Sequence, residues 1–233
     1  NNVPDHETLW ALISLCQETT AQVKILPDII EVIEGRYRDP LALRDLTGED
    51  ILDRAPVSVD FQASRRILED RVILVTGAAG SIGSELCRQI LDLNPKALLA
   101  LDNNETGLYD LNLELNQDGR SPLQLLVADV SDWNRMRAVF EEHRPQVVFH
   151  AAAYKHVPLV EAHPSEAVRV NVLGTAIVSE LAHQCEAERF VFVSTDKAVN
   201  PSSVMGASKR IGELWMEAMS RRSATLFTAV RFG

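Results

Sequence analysis

Cysteine is scarce in this 233-residue sequence, and Cys16, Cys87 and Cys185 are odd in number, far apart and in no CxxC pair. That excludes a disulfide framework and a thiolate zinc site, so no metal is expected and a reducing cytoplasm fits best. Positive charge is short too, with 23 Lys and Arg against 33 Asp and Glu and a net charge of −10. A nucleic-acid groove or an anionic membrane surface needs clustered basic side chains, so neither is expected as a partner. A dinucleotide stays open, because helix N-termini and backbone amides carry much of the work of holding phosphate. No run approaches the ~18 consecutive apolar residues of a membrane-spanning helix, and no charged-then-apolar leader opens the chain. Internal repeats and low-complexity tracts are missing as well. The first residue is Asn1 rather than Met, and Val230 to Gly233 read as the exit of a strand. A piece of a longer protein is therefore expected.

At 46% hydrophobic residues the chain can bury a full core, and its length suits one large domain plus a smaller piece. Residues 1–65 read as a partial α/β region and linker, with a helix from Glu7 to Thr20, a short strand Val23–Leu26, and a short helix around Ile29 to Ile33. An irregular run through Arg44-Asp45-Leu46 follows, and the boundary is expected near Asp60 to Asp70. Residues 66–233 read as a Rossmann-type doubly wound parallel α/β sheet, because strand and helix alternate with little interruption. The predicted strands are Val72–Thr76, Ala97–Leu101, Leu123–Ala128, Val147–His150, Phe190–Ser194 and Ala224–Val230. Each is a near-continuous apolar run, as a strand buried on both faces requires. The predicted helices are Ser81–Leu93, Glu105–Asn116, Asp132–His143, Pro164–Cys185 and Ser203–Arg221.

The first strand runs into Gly77-Ala78-Ala79-Gly80-Ser81-Ile82-Gly83, a GxxGxxG turn that opens a helix. Gly77 permits the turn, Gly80 lets the backbone reach a pyrophosphate, and Gly83 lets the helix lie close to the sheet, with Ser81 and Ile82 at its N-terminus. Asp102, ending the second strand, is placed to accept hydrogen bonds from the adenosine ribose. It would repel a 2′-phosphate, and no Arg follows it, so NAD is favoured over NADP. Asp129, with Val130 after it, either accepts from the adenine amino group or caps the next helix. Ala151, Ala152 and Ala153 leave room for a dinucleotide beside the fourth strand, whereas His150 reads as a packed strand-end histidine. Lys155 and His156 lie beyond that strand and face substrate. The fifth strand delivers Thr195, Asp196 and Lys197 beside the nicotinamide, where proton-transfer groups are useful. Met205 and Lys209 follow, four apart on one helix face.

These stretches, with Val148 to Glu161, Asn171 to Thr175, Phe190 to Pro201 and Met205 to Arg210, resemble the nucleotide-sugar 4,6-dehydratases of polysaccharide biosynthesis. The resemblance is to the inverting UDP-N-acetylglucosamine group and its long, membrane-anchored bacterial members. It is dense from about Arg71 to Gly233 and looser from Leu26 to Asp60. It implies dehydration of a UDP-sugar by an internal redox cycle on NAD, hydride leaving C4 and returning to C6. Lys197 would remove the C5 proton, Asp196 would protonate the departing C6 hydroxyl, Thr195 would line the sugar site, Lys209 would hold the nicotinamide ribose, and Asn171 would belong to a hydrogen-bond set around the cofactor. Most relatives in the wider short-chain dehydrogenase superfamily have Tyr where this chain has Met205. A thioether cannot transfer a proton, but the long membrane-linked members share this Met. Asp196 acting through a water is then the candidate acceptor at C4.

The resemblance also implies a parent protein at the inner face of the bacterial plasma membrane, room for a homo-oligomer, and a C-terminal sugar-binding portion after the sixth strand that this sequence lacks. Two rivals stand beside it. A nucleotide-sugar 4-epimerase would want Tyr at Met205 and has no need of Asp196-Lys197, and a non-catalytic NAD-binding module would not need to keep both of those groups.

Overall fold

A computed structural model of the chain describes residues 61–116 and 121–232, together with strands β1 (Lys24–Ile25) and β2 (Arg44–Asp45). The chain divides into two units, Asn1–Val59 and Asp60–Gly233. In the first, β1 and β2 pair antiparallel, Lys24 opposite Asp45. The expected strand at Val23–Leu26 thus has a partner in the run expected to be irregular. Long-range pairing, not local composition, makes Arg44–Asp45 a strand. The helices expected at Glu7–Thr20 and Ile29–Ile33 lie outside the described residues.

The second unit begins with α1 (Phe61–Leu68), where the sequence suggested linker; of its residues only Leu68 is buried, so composition gives little sign of it. There follow β3 (Val72–Thr76), α2 (Ser81–Leu91), β4 (Ala97–Asp102), α3 (Glu105–Leu115), β5 (Leu123–Val127), α4 (Trp133–His143) and β6 (Val147–His150). Then come α5 (Val157–Ala162), α6 (Pro164–Ala167), a π-helical segment (Val168–Gly174), α7 (Thr175–Gln184), β7 (Arg189–Thr195), a 3₁₀ turn (Asp196–Ala198), α8 (Val204–Ser220) and β8 (Leu226–Phe232). The strands form one parallel sheet in the order β5-β4-β3-β6-β7-β8. This is the doubly wound arrangement, whose order reverses between β3 and β6.

Alternation along the strands fills both layers. Leu74, Leu99, Val148, Phe190 and Phe192 point to one face and pack with Met136 and Phe140 of α4, Val178 and Leu181 of α7, and Met216 and Met219 of α8. Ile73, Val75, Leu98 and Val147 point to the other, against Leu68, Cys87 and Ile90, and Leu108 and Leu111 of α3. Burial on both faces explains the uninterrupted apolar runs. Side-chain caps fix three helix starts: Asn104 accepts from Gly107 N–H, Asp132 from Arg135 N–H and Ser203 from Gly206 N–H.

The single helix expected over Pro164–Cys185 is instead three pieces, because the backbone widens into π geometry from Val168 to Gly174. The last strand runs two residues later than expected, since its bounds follow pairing with β7, Arg189 opposite Leu226 through Thr195 opposite Phe232.

Candidate active site

Above the carboxyl ends of β3 and β6, where the strand order reverses, a cleft is lined by Gly77, Ala79, Gly80, Asp102, Asn103, Asn104, Asp129, Val130 and Ala151 to Tyr154. Gly77 has φ +71, and a Cβ on it would sit 2.6 Å from the Ala152 nitrogen, so the turn closes against the alanine stretch. Gly80 differs: a Cβ there would meet only the Gly77 carbonyl oxygen, at 3.2 Å, and otherwise open space. It precedes α2, whose first residues are Ser81 and Ile82, with Gly83 buried behind them. A phosphate placed there meets backbone amides and the positive end of an eleven-residue helix.

Asp102 is held by the turn it faces: one carboxylate oxygen accepts from Ala79 N–H at 3.0 Å, the other from Asn104 N–H at 2.9 Å. Asp129 does not cap α4; Asp132 does. One Asp129 oxygen accepts from the backbone and hydroxyl of Ser131, and the other from Arg169 at 2.8 Å. Partial burial opposes its charge, but Arg169 and Ser131 outweigh burial and hold the carboxyl below its usual range. Val130 is buried beside it. Asn171, fully buried in the π segment, gives its amide to other parts of the protein. Its oxygen accepts from Tyr154 N–H at 2.8 Å, and its nitrogen donates to the Tyr154 carbonyl and the Ser208 hydroxyl. Its place is therefore behind the cleft wall, fixing the loop after β6 to α8.

His150 is fully buried at the end of β6, between Thr76 and Thr175. Thr175 donates its only hydroxyl proton to the Asn171 carbonyl at 2.6 Å, so it must accept from His150 Nε2. Nδ1 is then the bare nitrogen and Thr76 donates to it. Burial, helped by the Lys209 charge, lowers the imidazole to about 3, which keeps it neutral. It is a packing and orienting group.

At the end of β7, Thr195 donates to one oxygen of Asp196 at 2.9 Å and Lys197 Nζ donates to the same oxygen at 3.1 Å. Both charged side chains are exposed, and Lys197, then Thr195, holds the Asp196 carboxyl below its ordinary value. Met205 is buried with Val160 and Ala167. Lys209, on the next turn of α8, is buried over the Phe192 ring, donates to the Val193 carbonyl at 2.8 Å, and is lowered by burial to about 8. Lys155 reaches Ser81 at 3.2 Å, at the phosphate turn, while His156 leads into α5 with its side chain exposed.

Three contributors were not legible in the sequence. Arg169 meets Asp129 only through the fold, and the Thr76–His150–Thr175 chain joins three elements. Glu213, nearly buried on α8, accepts from Ser194 at 2.8 Å and pairs with Arg210 and Arg231. Those charged hydrogen bonds, Arg231 foremost and against the opposing effect of burial, hold it at about 2. No group of three or more metal-ligating side chains occurs among the described residues.

Residues 73–233 match a family described as polysaccharide biosynthesis protein. A probable polysaccharide biosynthesis protein of Bacillus subtilis, EpsC, is 42% identical over 98% of this chain and 38% of its own length. The Staphylococcus aureus capsular polysaccharide biosynthesis protein CapD is 42% identical over 94% of this chain and 37% of itself. An uncharacterized membrane protein of Methanocaldococcus jannaschii, MJ1061, is 45% identical over 74% and 51%. The chain thus spans about half the length of these relatives or less.

Among solved structures, Pen from Bacillus thuringiensis superposes with TM-score 0.67 at 31% identity, covering 71% of this chain and 51% of that one. A double mutant of the dTDP-glucose 4,6-dehydratase DesIV of Streptomyces venezuelae, solved with NAD, gives 0.62 at 26%, covering 68% and 54%. A UDP-glucose 4-epimerase of Thermus thermophilus, also with NAD, gives 0.62 at 27%, covering 70% and 55%. Family match, identity and fold agree: the chain belongs to the polysaccharide biosynthesis protein family, on a Rossmann-type parallel sheet.

Proposed function

We propose that this chain is the NAD-binding part of a nucleotide-sugar 4,6-dehydratase that acts on a UDP-N-acetylhexosamine in capsule or polysaccharide biosynthesis. The observation that carries the reading is the Asp196–Lys197 pair at the carboxyl end of β7, the strand beside β6 in a sheet whose β3 and β6 ends carry a cleft suited to a dinucleotide. The cleft fits NAD: Gly80 leaves the pyrophosphate position open, Ala151 to Ala153 leave the β6 side low, and Asp102 stands where an adenosine ribose would end. Gly77, Ser81, Ile82, Gly83, Asp129, Val130 and Lys209 complete its surroundings, with Asn171 bracing them from behind. Bound NAD supplies a hydride acceptor that returns the hydride later in the same cycle.

The chain's own groups supply the proton traffic. Asp196 rests ionised, which suits it to take the C4 hydroxyl proton through a water and to give it up at the C6 hydroxyl. In its neutral form Lys197 removes the C5 proton once the sugar separates its amine from Asp196, and it gives that proton back to C5 when hydride is added at C6. Met205 has no proton to exchange and packs the start of α8. Lys155 and His156 flank the substrate side, Lys155 close enough to Ser81 to meet phosphate as well. The 4-epimerase reading gains nothing from this geometry, since return of hydride to C4 needs no acid beside C6.

Residues 1–65 are then the last part of a preceding α/β unit, and the complete protein is membrane-anchored at the cytoplasmic face and assembles with copies of itself. Among the described residues no helix is long and apolar enough to cross a membrane. The roles are tested in a chain extended to its relatives' length. Lys197→Ala should lower dehydration by roughly 10² to 10⁴, the usual contribution of a general base, with NAD still bound. Met205→Leu conserves volume and should cost little, about 1.5 kcal/mol of stability at most. Near-normal turnover in Lys197→Ala, or equal loss in both variants, contradicts the assignment.

A further inference from the structure

We propose that Arg169 is a cofactor-positioning residue that sets the preference for a 6-aminopurine over a 6-oxopurine dinucleotide by fixing the Asp129 carboxylate. The inference deepens the cofactor reading and rests on it. Arg169 lies in the π segment Val168–Gly174, a backbone departure of the kind that often marks functional positions. Its guanidinium is bound on both sides. Nε and one terminal nitrogen donate to Glu166, the latter at 2.8 Å, while the other terminal nitrogen donates to Asp129 at 2.8 Å and to the Ser131 hydroxyl at 2.5 Å.

Glu166 thus aims the fork, and the fork holds Asp129. Ser131 occupies one Asp129 oxygen twice, through its backbone and its hydroxyl. The second oxygen receives only Arg169 among these donors and keeps one acceptor position. Asp129 lines the cleft together with Val130 and with Gly77, Ala79 and Gly80 of the turn after β3. An ionised carboxylate held still in this way accepts from an exocyclic amine and repels a carbonyl oxygen at the same place. Without Arg169, Asp129 and Glu166 lose the cation between them and the carboxylate turns toward water.

The test is calorimetric titration of the 233-residue chain with NAD and with nicotinamide hypoxanthine dinucleotide, which carries oxygen in place of the amine. Wild type should prefer NAD by about tenfold or more, because a site built to accept from an amine rejects the analogue without it. Arg169→Ala should weaken NAD and bring the two affinities within about twofold, as should Asp129→Asn, whose side-chain amide can offer either a donor or an acceptor. A structural role alone would weaken both dinucleotides by one factor and leave the ratio unchanged, which overturns the proposal. Should Arg169→Ala fail to fold by circular dichroism, Arg169→Gln is read by the same ratio. Equal binding of the two by wild type overturns the Arg169 assignment alone, whereas binding of neither overturns the cofactor reading beneath it.

Discussion

Gly77 and Gly80 sit three residues apart in one turn, and an added side chain fails differently at each. At Gly77 it meets the Ala152 backbone with φ at +71, so Gly77→Ala should destabilise the fold by about 1–3 kcal/mol, seen as an earlier urea midpoint. At Gly80 it presses on the Gly77 carbonyl oxygen at 3.2 Å and otherwise enters only the cleft. Gly80→Val should melt close to wild type yet show no heat with NAD in calorimetry, where wild type binds NAD more tightly than NADP; unchanged NAD affinity in the folded variant would remove the phosphate-turn assignment. This much of the site is legible in sequence because a glycine pattern between strand and helix has a local meaning. Asp129 is not legible in the same way. The sequence offers two readings for it, an acceptor for the adenine amino group and a helix cap; Asp132 takes the cap, and the contact with Arg169, 40 residues away, exists only in the fold.

Strands and long helices follow from their apolar periods, and the parallel sheet needs only that pattern. The π segment does not, because a widened turn has no composition of its own and the apolar spacing over Pro164–Cys185 reads as one helix. Its consequence is local: Asn171, within the segment, binds both backbone groups of Tyr154 and the Ser208 hydroxyl. Asn171→Ala leaves the part-buried Tyr154 N–H and carbonyl without this partner and takes one bond from the buried Ser208 hydroxyl, which keeps its bond to the Met205 carbonyl; an unmet buried polar group costs about 1–3 kcal/mol. The variant should lose at least ~2 kcal/mol in urea unfolding, and the loop after β6 should exchange its amide hydrogens faster. A loss under half that, with exchange unchanged, would mean the loop holds its shape without the side chain.

For the whole molecule, acid should be a more effective denaturant than its exposed ion pairs alone suggest. Burial lowers the His150 imidazole from its ordinary 6.5 to about 3, and the hydrogen bond from Arg231 foremost lowers the Glu213 carboxyl from its ordinary 4.5 to about 2. In both cases the unfolded chain takes up the proton first. The stability due to His150 is therefore complete above pH 6.5 and is lost as pH falls toward 3, and that due to Glu213 is complete above 4.5 and lost toward 2. Urea midpoints against pH should decline in the first window for wild type and stay flatter for His150→Gln; parallel curves would refute this account of His150. At this scale the sequence shows the doubly wound domain but not how its buried polar chain ties three elements together, since that contact exists only after folding. Asp196 and Lys197 are proposed to serve dehydration. Mass spectrometry of UDP-N-acetylglucosamine incubated with NAD and a chain of its relatives' full length tests it most directly. A product lighter by one water is expected; an isomer of unchanged mass, or no product from an enzyme that binds both ligands, would contradict dehydration by these two residues.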